Sequence, residues 1–337
     1  MIKLEMKRII FFLLLYLSLF FSCGKEGPNF YTIGMFQVDD APTLNEVRRG
    51  FLQALEEEGL INGLNVHLIE KNARGDIPLV QKIAQEFVSQ KVNLVAAFST
   101  PCLQAAIHVT RKIPIVFASV ANPYLAGAED SAGNKLTNVT GVSSLGPVKE
   151  GLVFLKKILP STKRIGTLWT PSEINSEFYL SLARNAGDEL GIEVVDVPVA
   201  NKREILMAAQ ILINKKIDVI YQISDNTINA SFQTLGHVAE ENGIPLFGGF
   251  LLSIHLGACA ATGWDFFDMG YKAGKLALRI KKGENPANIP IQYMSKVELH
   301  LNLNAAKKQG VVFPEEILRI ADEILAQEEE QLEISKR

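Results

Sequence analysis

Five short segments of the 337-residue chain carry hydroxyls, amides and carboxylates in patterns that could hold a small ligand. Gln37-Val38-Asp39-Asp40-Ala41-Pro42 runs into Thr43 and Glu46, which stand at capping-box spacing. Ser99-Thr100-Pro101 sets a capping hydroxyl before a proline suited to the first helical position. Ser119-Val120-Ala121-Asn122-Pro123, Thr170-Pro171-Ser172-Glu173-Ile174-Asn175-Ser176 and Ser224-Asp225-Asn226-Thr227 repeat the theme. Free N–H groups and hydroxyls at a helix N-terminus bind anions, because several donors and the positive end of the helix dipole point outward together. An acid beside them, such as Glu173 or Asp225, can hold an ammonium. The set supplies both halves of a clamp for an α-amino acid. The same residue types are ordinary helix caps in any α/β protein, so the argument rests on their number and common side.

Other chemistries find little support. His67, His108, His237, His255 and His300 are scattered without His-Glu-x-x-His spacing, and no G-x-S-x-G elbow occurs. Gly270-Tyr271-Lys272-Ala273-Gly274-Lys275-Leu276 is one residue short of a phosphate-binding loop and reads as a helix whose glycines permit close packing. An enzyme, a metal site and a cofactor are therefore not expected. The formal charge of −3 becomes −5 without residues 1–22, and no basic stripe appears, which disfavours a nucleic-acid role. Beyond Cys23 only Cys102 and Cys259 remain, either as a disulfide or as two buried thiols.

The elements that position these turns alternate along the chain. Strands are expected at 30–36, 66–71, 94–98, 115–119, 164–169, 193–198, 219–223, 246–248 and 259–263. Helices are expected at 44–58, 77–90, 104–110, 148–159, 177–190, 202–214, 227–242 and 267–282, with a further helical tail from Pro314 to about Gln331. Such alternation gives parallel sheets covered on both faces, and ligands of such sheets bind beyond the carboxyl ends of the strands. The pattern restarts near Lys163, so two α/β halves are expected rather than one large sheet.

The N-terminus reads as an export signal. Lys3, Lys7 and Arg8 precede the apolar run Ile9–Phe21, which is short for a permanent membrane span. Ser22-Cys23-Gly24 resembles a lipobox, although Phe20 and Phe21 replace its usual residues. Residues 1–22 are then expected to be a lipoprotein signal peptide and 23–29 a lipidated cysteine and its tether, with an ordinary signal peptide or an uncleaved anchor as the alternatives. Asn138-Val139-Thr140 and Asn229-Ala230-Ser231 match the glycosylation sequon by chance in such a context.

Segments in a fixed order give a wider resemblance. Asn72-Ala73-Arg74-Gly75-Asp76, Ser99-Thr100-Pro101, Ile113-Pro114-Ile115-Val116-Phe117-Ala118, Asn138-Val139-Thr140-Gly141-Val142, Pro171–Ser176, Ser224–Thr227 and Gly283–Pro290 are similar to the ABC-transporter substrate-binding family that includes tryptophan- and tyrosine-type binding lipoproteins. The resemblance runs from about residue 30 to about 325. It implies a type I periplasmic-binding-protein fold, two Rossmann-like lobes with a three-crossover hinge. The expected lobes are 30–141 with 268–291 and 142–267 with 292–325, followed by an acidic tail at 326–337. By the same resemblance Ser99, Thr100 and Ser119 bind a carboxylate, and Glu173, Asn175, Ser176 and Asp225 close over the amine. Gln37 and Asn226 border the cleft, and Gly248 and Gly249 allow close approach.

Family members often carry His-Pro-Ala-Leu-Asp after the first strand, whereas Ala41-Pro42-Thr43-Leu44-Asn45 stands here. Phe117, Trp169, Tyr221 and Trp264 offer flat faces to a ligand, though strand aromatics are more often core. The implied protein is a monomeric, lipid-anchored, extracytoplasmic carrier. It passes an amino-acid-like ligand, with an aromatic one among the candidates, to ABC permease subunits. A sensor signalling to a membrane partner and a non-transport surface lipoprotein are the alternatives on the same fold. Replacing Cys23→Ala is expected to move the protein from the membrane pellet to the soluble fraction, because multiple acyl chains at about 0.8 kcal/mol per methylene supply the anchor. Fractionation and immunoblotting read the outcome.

Overall fold

The computed structural model describes residues 30–129 and 133–326. The expected signal peptide, Cys23, its tether and residues 327–337 of the acidic tail lie outside the described residues. β1 (Tyr31–Gln37), β2 (Val66–Asn72), β3 (Leu94–Phe98), β4 (Ile115–Val120) and β5 (Val139–Ser143) are joined by the short β11 (Gln292–Tyr293). They form a six-stranded, wholly parallel sheet of order β11-β5-β4-β3-β1-β2. Every residue of β3 is buried, as expected of an apolar run covered on both faces.

The second sheet holds β6 (Arg164–Trp169), β7 (Glu193–Pro198), β8 (Val219–Gln222), β9 (Leu246–Gly248), β10 (Ala260–Gly263), β12 (Glu298–Asn302) and β13 (Glu323–Leu325). Its order is β13-β12-β10-β9-β8-β6-β7, with β12 antiparallel to β10 and the other pairings parallel. Two departures from the sequence reading concern this lobe. The helix after Pro314 is only Glu315–Ile320, and the chain then extends as β13 along β12. A long-range pairing overrides the helical pattern there. The expected helix 227–242 breaks into Asn226–Asn229 and Phe232–Asn242, and the second piece buries Phe232 edge-on against Phe250, 5.0 Å between centroids.

The chain passes between the sheets after β5, after β10 and after β11. The registers Gln292↔Val142 and Tyr293↔Ser143 keep these four residues on the first sheet, two positions beyond the expected boundaries at 141 and 291. Ladder hydrogen bonds hold each strand to its end before the chain leaves. The returning helix Phe266–Lys281, capped by Asp265 through Phe267 N–H at 2.8 Å, lies against the helix Pro42–Glu57 on the first sheet. Their backbones nearly touch. A Cβ on Gly50 would stand 2.0 Å from the Phe267 carbonyl oxygen, and one on Gly270 would stand 1.9 Å from that of Val47. Cys102 and Cys259 are free, buried thiols, and burial pushes each up to about 12.

The helix contact yields a direct test. Gly50→Ala forces backbone against backbone and is expected to destabilise the protein by about 2 kcal/mol or more, as overpacking does. Urea denaturation of the variant beside Gln53→Ala, an exposed change on the same helix, separates this effect from a general one.

Candidate ligand-binding cleft

On the first lobe the site is built from strained turns at strand ends. Ser99 follows β3 with φ 129° and ψ 162°, a region that normally belongs to glycine, and Ser119 in β4 has φ 57° beside a register shift. Such conformations cost roughly 1–3 kcal/mol each and gather at ligand clamps. Ser99 Oγ accepts the Cys102 N–H at 3.4 Å and so caps the helix Thr100–Val109, while the Ser119 N–H faces Met269 Sδ at 3.3 Å. Thr100 is buried, and its Oγ1 has no hydrogen-bond partner.

Gln37, at the end of β1, donates through Nε2 to the Asp39 carbonyl at 2.8 Å and to Asn45 Oδ1 at 2.9 Å. Asn45 in turn donates to Asp40 Oδ1, which fixes both amides and leaves Gln37 Oε1 without a donor.

On the second lobe two buried carboxylates organise the turns. Glu173 Oε2 accepts from Asn175 Nδ2 at 3.1 Å and from Asn226 Nδ2, and Oε1 accepts the Thr227 N–H at 3.2 Å and its hydroxyl at 2.8 Å. Asp225 caps the helix Asn226–Asn229 through Ile228 N–H at 2.9 Å, and also accepts Thr170 Oγ1 at 3.1 Å and Ser176 Oγ at 2.6 Å. Burial pushes the Glu173 carboxyl up to about 7, with the charge of Asp225 adding to it and the amide and hydroxyl donors opposing it. Burial likewise raises Asp225 against the pull of Ser176, the Ile228 N–H and Thr170.

Both acids sit where the sequence places them, but their lone pairs serve the protein. Four donors saturate Glu173. It therefore orients Asn175 and Asn226 rather than presenting a free oxygen. The free acceptors are Asn175 Oδ1 and Asn229 Oδ1, both buried and without a partner. Asn229 was not among the residues expected from sequence, although it lies one helical turn beyond the Asp225 cap.

Gly248 and Gly249 make close approaches within their own lobe. A Cβ on the first would strike Ser253, and one on the second would stand 2.9 Å from the Gln222 carbonyl. The aromatics also have places in the protein itself. Phe117 is core, Trp169 Nε1 donates to Asp196, Tyr221 donates to the Val148 carbonyl and Trp264 Nε1 donates to that of Leu145.

The two sets of turns meet. Lys202, following β7, reaches Asp39, following β1, at 2.9 Å. Ala230 packs against the first lobe's cluster that contains Phe36 and Leu44, and the Glu173 charge is felt at Cys102. A concavity of about 530 Å³ lies at this mouth, bordered by Gln37, Asp39, Arg48, Arg74 and Lys202. Of the expected residues it touches only Gln37, while the orphaned buried atoms of Thr100, Asn175 and Asn229 lie outside its lining. Among the described residues no group of three or more His, Cys, Asp or Glu could hold a metal ion, and no helix is long and apolar enough to cross a membrane.

Two α/β lobes with facing strand ends and three crossovers define a type I periplasmic binding protein. Residues 32–325 match the model of the ABC transporter substrate binding protein family, and the chain belongs to that family. The family is one of solute-binding, extracytoplasmic proteins rather than of enzymes. A tyrosine-binding protein of Clostridioides difficile is 34% identical over 275 residues, covering 82% of this chain and 79% of that protein.

Two solved structures bear on the lobe arrangement. An ABC domain from Streptococcus pneumoniae in complex with L-Trp is 26% identical and superposes with a TM-score of 0.81, covering 87% of this chain and 100% of that one. A ligand-free, open substrate-binding protein with adhesive properties from Clostridium difficile is 31% identical, yet its TM-score is 0.64, with 88% and 100% covered. Sequence ranks the two one way and shape the other. The overall superposition is closer to the L-Trp complex than to the ligand-free, open structure.

The buried acids make stability depend on pH. An acid whose folded pKa is raised binds its proton more tightly in the native state, so native stability falls as pH rises from the ordinary carboxylate value towards about 7. Urea midpoints measured from pH 4.5 to 7.5 are expected to decline across that window, and Glu173→Gln is expected to flatten the decline.

Proposed function

We propose that this family member captures a free α-amino acid in the interlobe cleft and delivers it to an ABC importer, held at the membrane by lipid on Cys23. The observation that carries the reading is the set of buried side-chain atoms without partners: Gln37 Oε1, Thr100 Oγ1, Asn175 Oδ1 and Asn229 Oδ1. Buried polar groups are nearly always bonded, so orphans at strand ends call for a ligand. Three of the four are amide oxygens, which accept and do not donate. They suit an ammonium, and the negative charge of Glu173 and Asp225 favours a cation, with no Lys, Arg or His among the buried described residues. Thr100, with the N–H groups of its helix, suits the carboxylate.

An aromatic side chain on the ligand is favoured by the relatives that bind tyrosine and L-Trp. A surface role without transport is the second reading, favoured by the adhesive relative. A melting-temperature screen of the full-length chain against the twenty amino acids separates them. L-tyrosine or L-tryptophan at a hundredfold excess over Kd should stabilise the protein by about 2.7 kcal/mol. Asn175→Ala and Asn229→Ala should each weaken binding about tenfold, the cost of an unmet hydrogen bond to a charged group. A flat response from folded protein across the twenty would remove the amino-acid reading.

A further inference from the structure

The contact between Asp39 and Lys202 joins residues 163 positions apart and bridges the two lobes at the side of the cleft away from the crossovers. Its partners are unequal. The Asp39 side chain is 3% exposed and that of Lys202 40% exposed. Asp39 is held in place by its own lobe: Oδ1 also accepts the Asp40 N–H at 2.8 Å, and Gly75, with φ 83°, lets the β2 turn lie close to Oδ2. Lys202 is presented from an ordered turn, in which Asn201 Oδ1 accepts the Arg203 N–H at 3.0 Å and Glu204 accepts the Ala200 N–H at 2.8 Å. Another cation at the same mouth is engaged elsewhere, since Arg48 pairs with Glu70 at 2.8 Å.

One more bond matters. Gln37 Nε2 supports the Asp39 carbonyl at 2.8 Å, while Oε1 of the same amide is an orphaned acceptor. A ligand donor at Oε1 would thus engage the same amide whose Nε2 braces the Asp39 turn.

We infer that Asp39 and Lys202 form a closing latch across the cleft mouth, and that Gln37 couples the latch to ligand. The pair exists only when the lobes are together, so it stabilises closure and slows escape without contacting the ligand. Asp39 and Lys202 are positioning residues in this scheme. The Gln37 coupling rests on the amino-acid reading above; the latch itself does not.

Small-angle scattering of the full-length chain in detergent reads lobe separation with and without L-tyrosine, at about 20 and about 500 mM salt, since screening weakens an ion pair at the protein surface. Lys202→Asp, which sets like charges face to face, should expand the protein relative to wild type. The exchange Asp39→Lys with Lys202→Asp should restore its dimensions, and Lys202→Arg should preserve them. Stopped-flow release of L-tyrosine should quicken about three- to tenfold in Lys202→Asp, the range for a partly exposed charge pair acting mainly on dissociation.

Restoration by the exchange rules out a mere folding defect. If L-tyrosine binds Lys202→Asp and wild type alike, with equal release and equal dimensions, the latch is overturned and the amino-acid reading stands. If no variant binds any of the twenty amino acids but Lys202→Asp still expands and the exchange still reverses it, the latch stands and the amino-acid reading falls.

Discussion

Two buried carboxylates, Glu173 and Asp225, set the terms for the second lobe. An ionised group removed from water costs several kcal/mol unless neighbours replace its hydration. Here hydroxyls, amides and backbone N–H groups from the turns after β6 and β8 supply that replacement. The consequence is structural before it is chemical. Each acid draws the turn after β6 to the turn after β8, so neither turn can move alone. Asn175 and Asn226 have their Nδ2 groups committed to Glu173, which decides which face of each amide remains free. The acids thus dictate that the lobe presents acceptors.

The first lobe reaches a complementary result by a different route. It buries no such acid pair in the cleft, and Ser99 after β3 and Ser119 within β4 are held in conformations that side-chain-bearing residues avoid. Strain at Ser99 and Ser119 persists because all of β3 and most of β4 are buried among neighbouring strands, and because the helix Phe266–Lys281 packs closely behind. Lys91 and Lys216 also have positive φ, but each directly follows a helix C-cap, where a left-handed residue is ordinary. Ser99 and Ser119 have no such excuse. A helix N-terminus and hydroxyls on one lobe, and amide oxygens before buried acids on the other, make a dipolar cleft.

Much of this was legible in the sequence. β3, β6, β7 and β9 have the expected limits, because apolar runs bounded by caps and prolines are local signals. The capping turns that contain Thr100 and Asn175, and the strand end at Gln37, followed from the same grammar. What escaped depends on contacts between distant residues. β13 reads as helix until β12 is there to pair with it. The saturation of Glu173 requires Asn226 and Thr227, more than fifty positions away. Lys202 looks like a helix start and acquires its meaning only opposite Asp39.

The crossovers explain how such a cleft can open without losing its halves. Gly50 and Gly270 lock the helix Phe266–Lys281 to the first lobe at backbone contact, so the segment after β10 cannot absorb motion within that helix. The crossovers are also tied to one another: Trp264 Nε1 donates to the Leu145 carbonyl, joining the segment after β10 to the one after β5. The hydroxyl of Tyr179, a second-lobe residue, donates to the Ser144 carbonyl and fixes the start of the first crossover. Rotation is left to a few residues between each strand end and the next element, which is the hinge form of domain closure. With the hinge short and each lobe internally braced, the free energy that decides between open and closed comes from contacts made across the cleft. The Asp39–Lys202 pair is one such contact, and in the proposed reading a ligand that meets the orphaned acceptors adds the others.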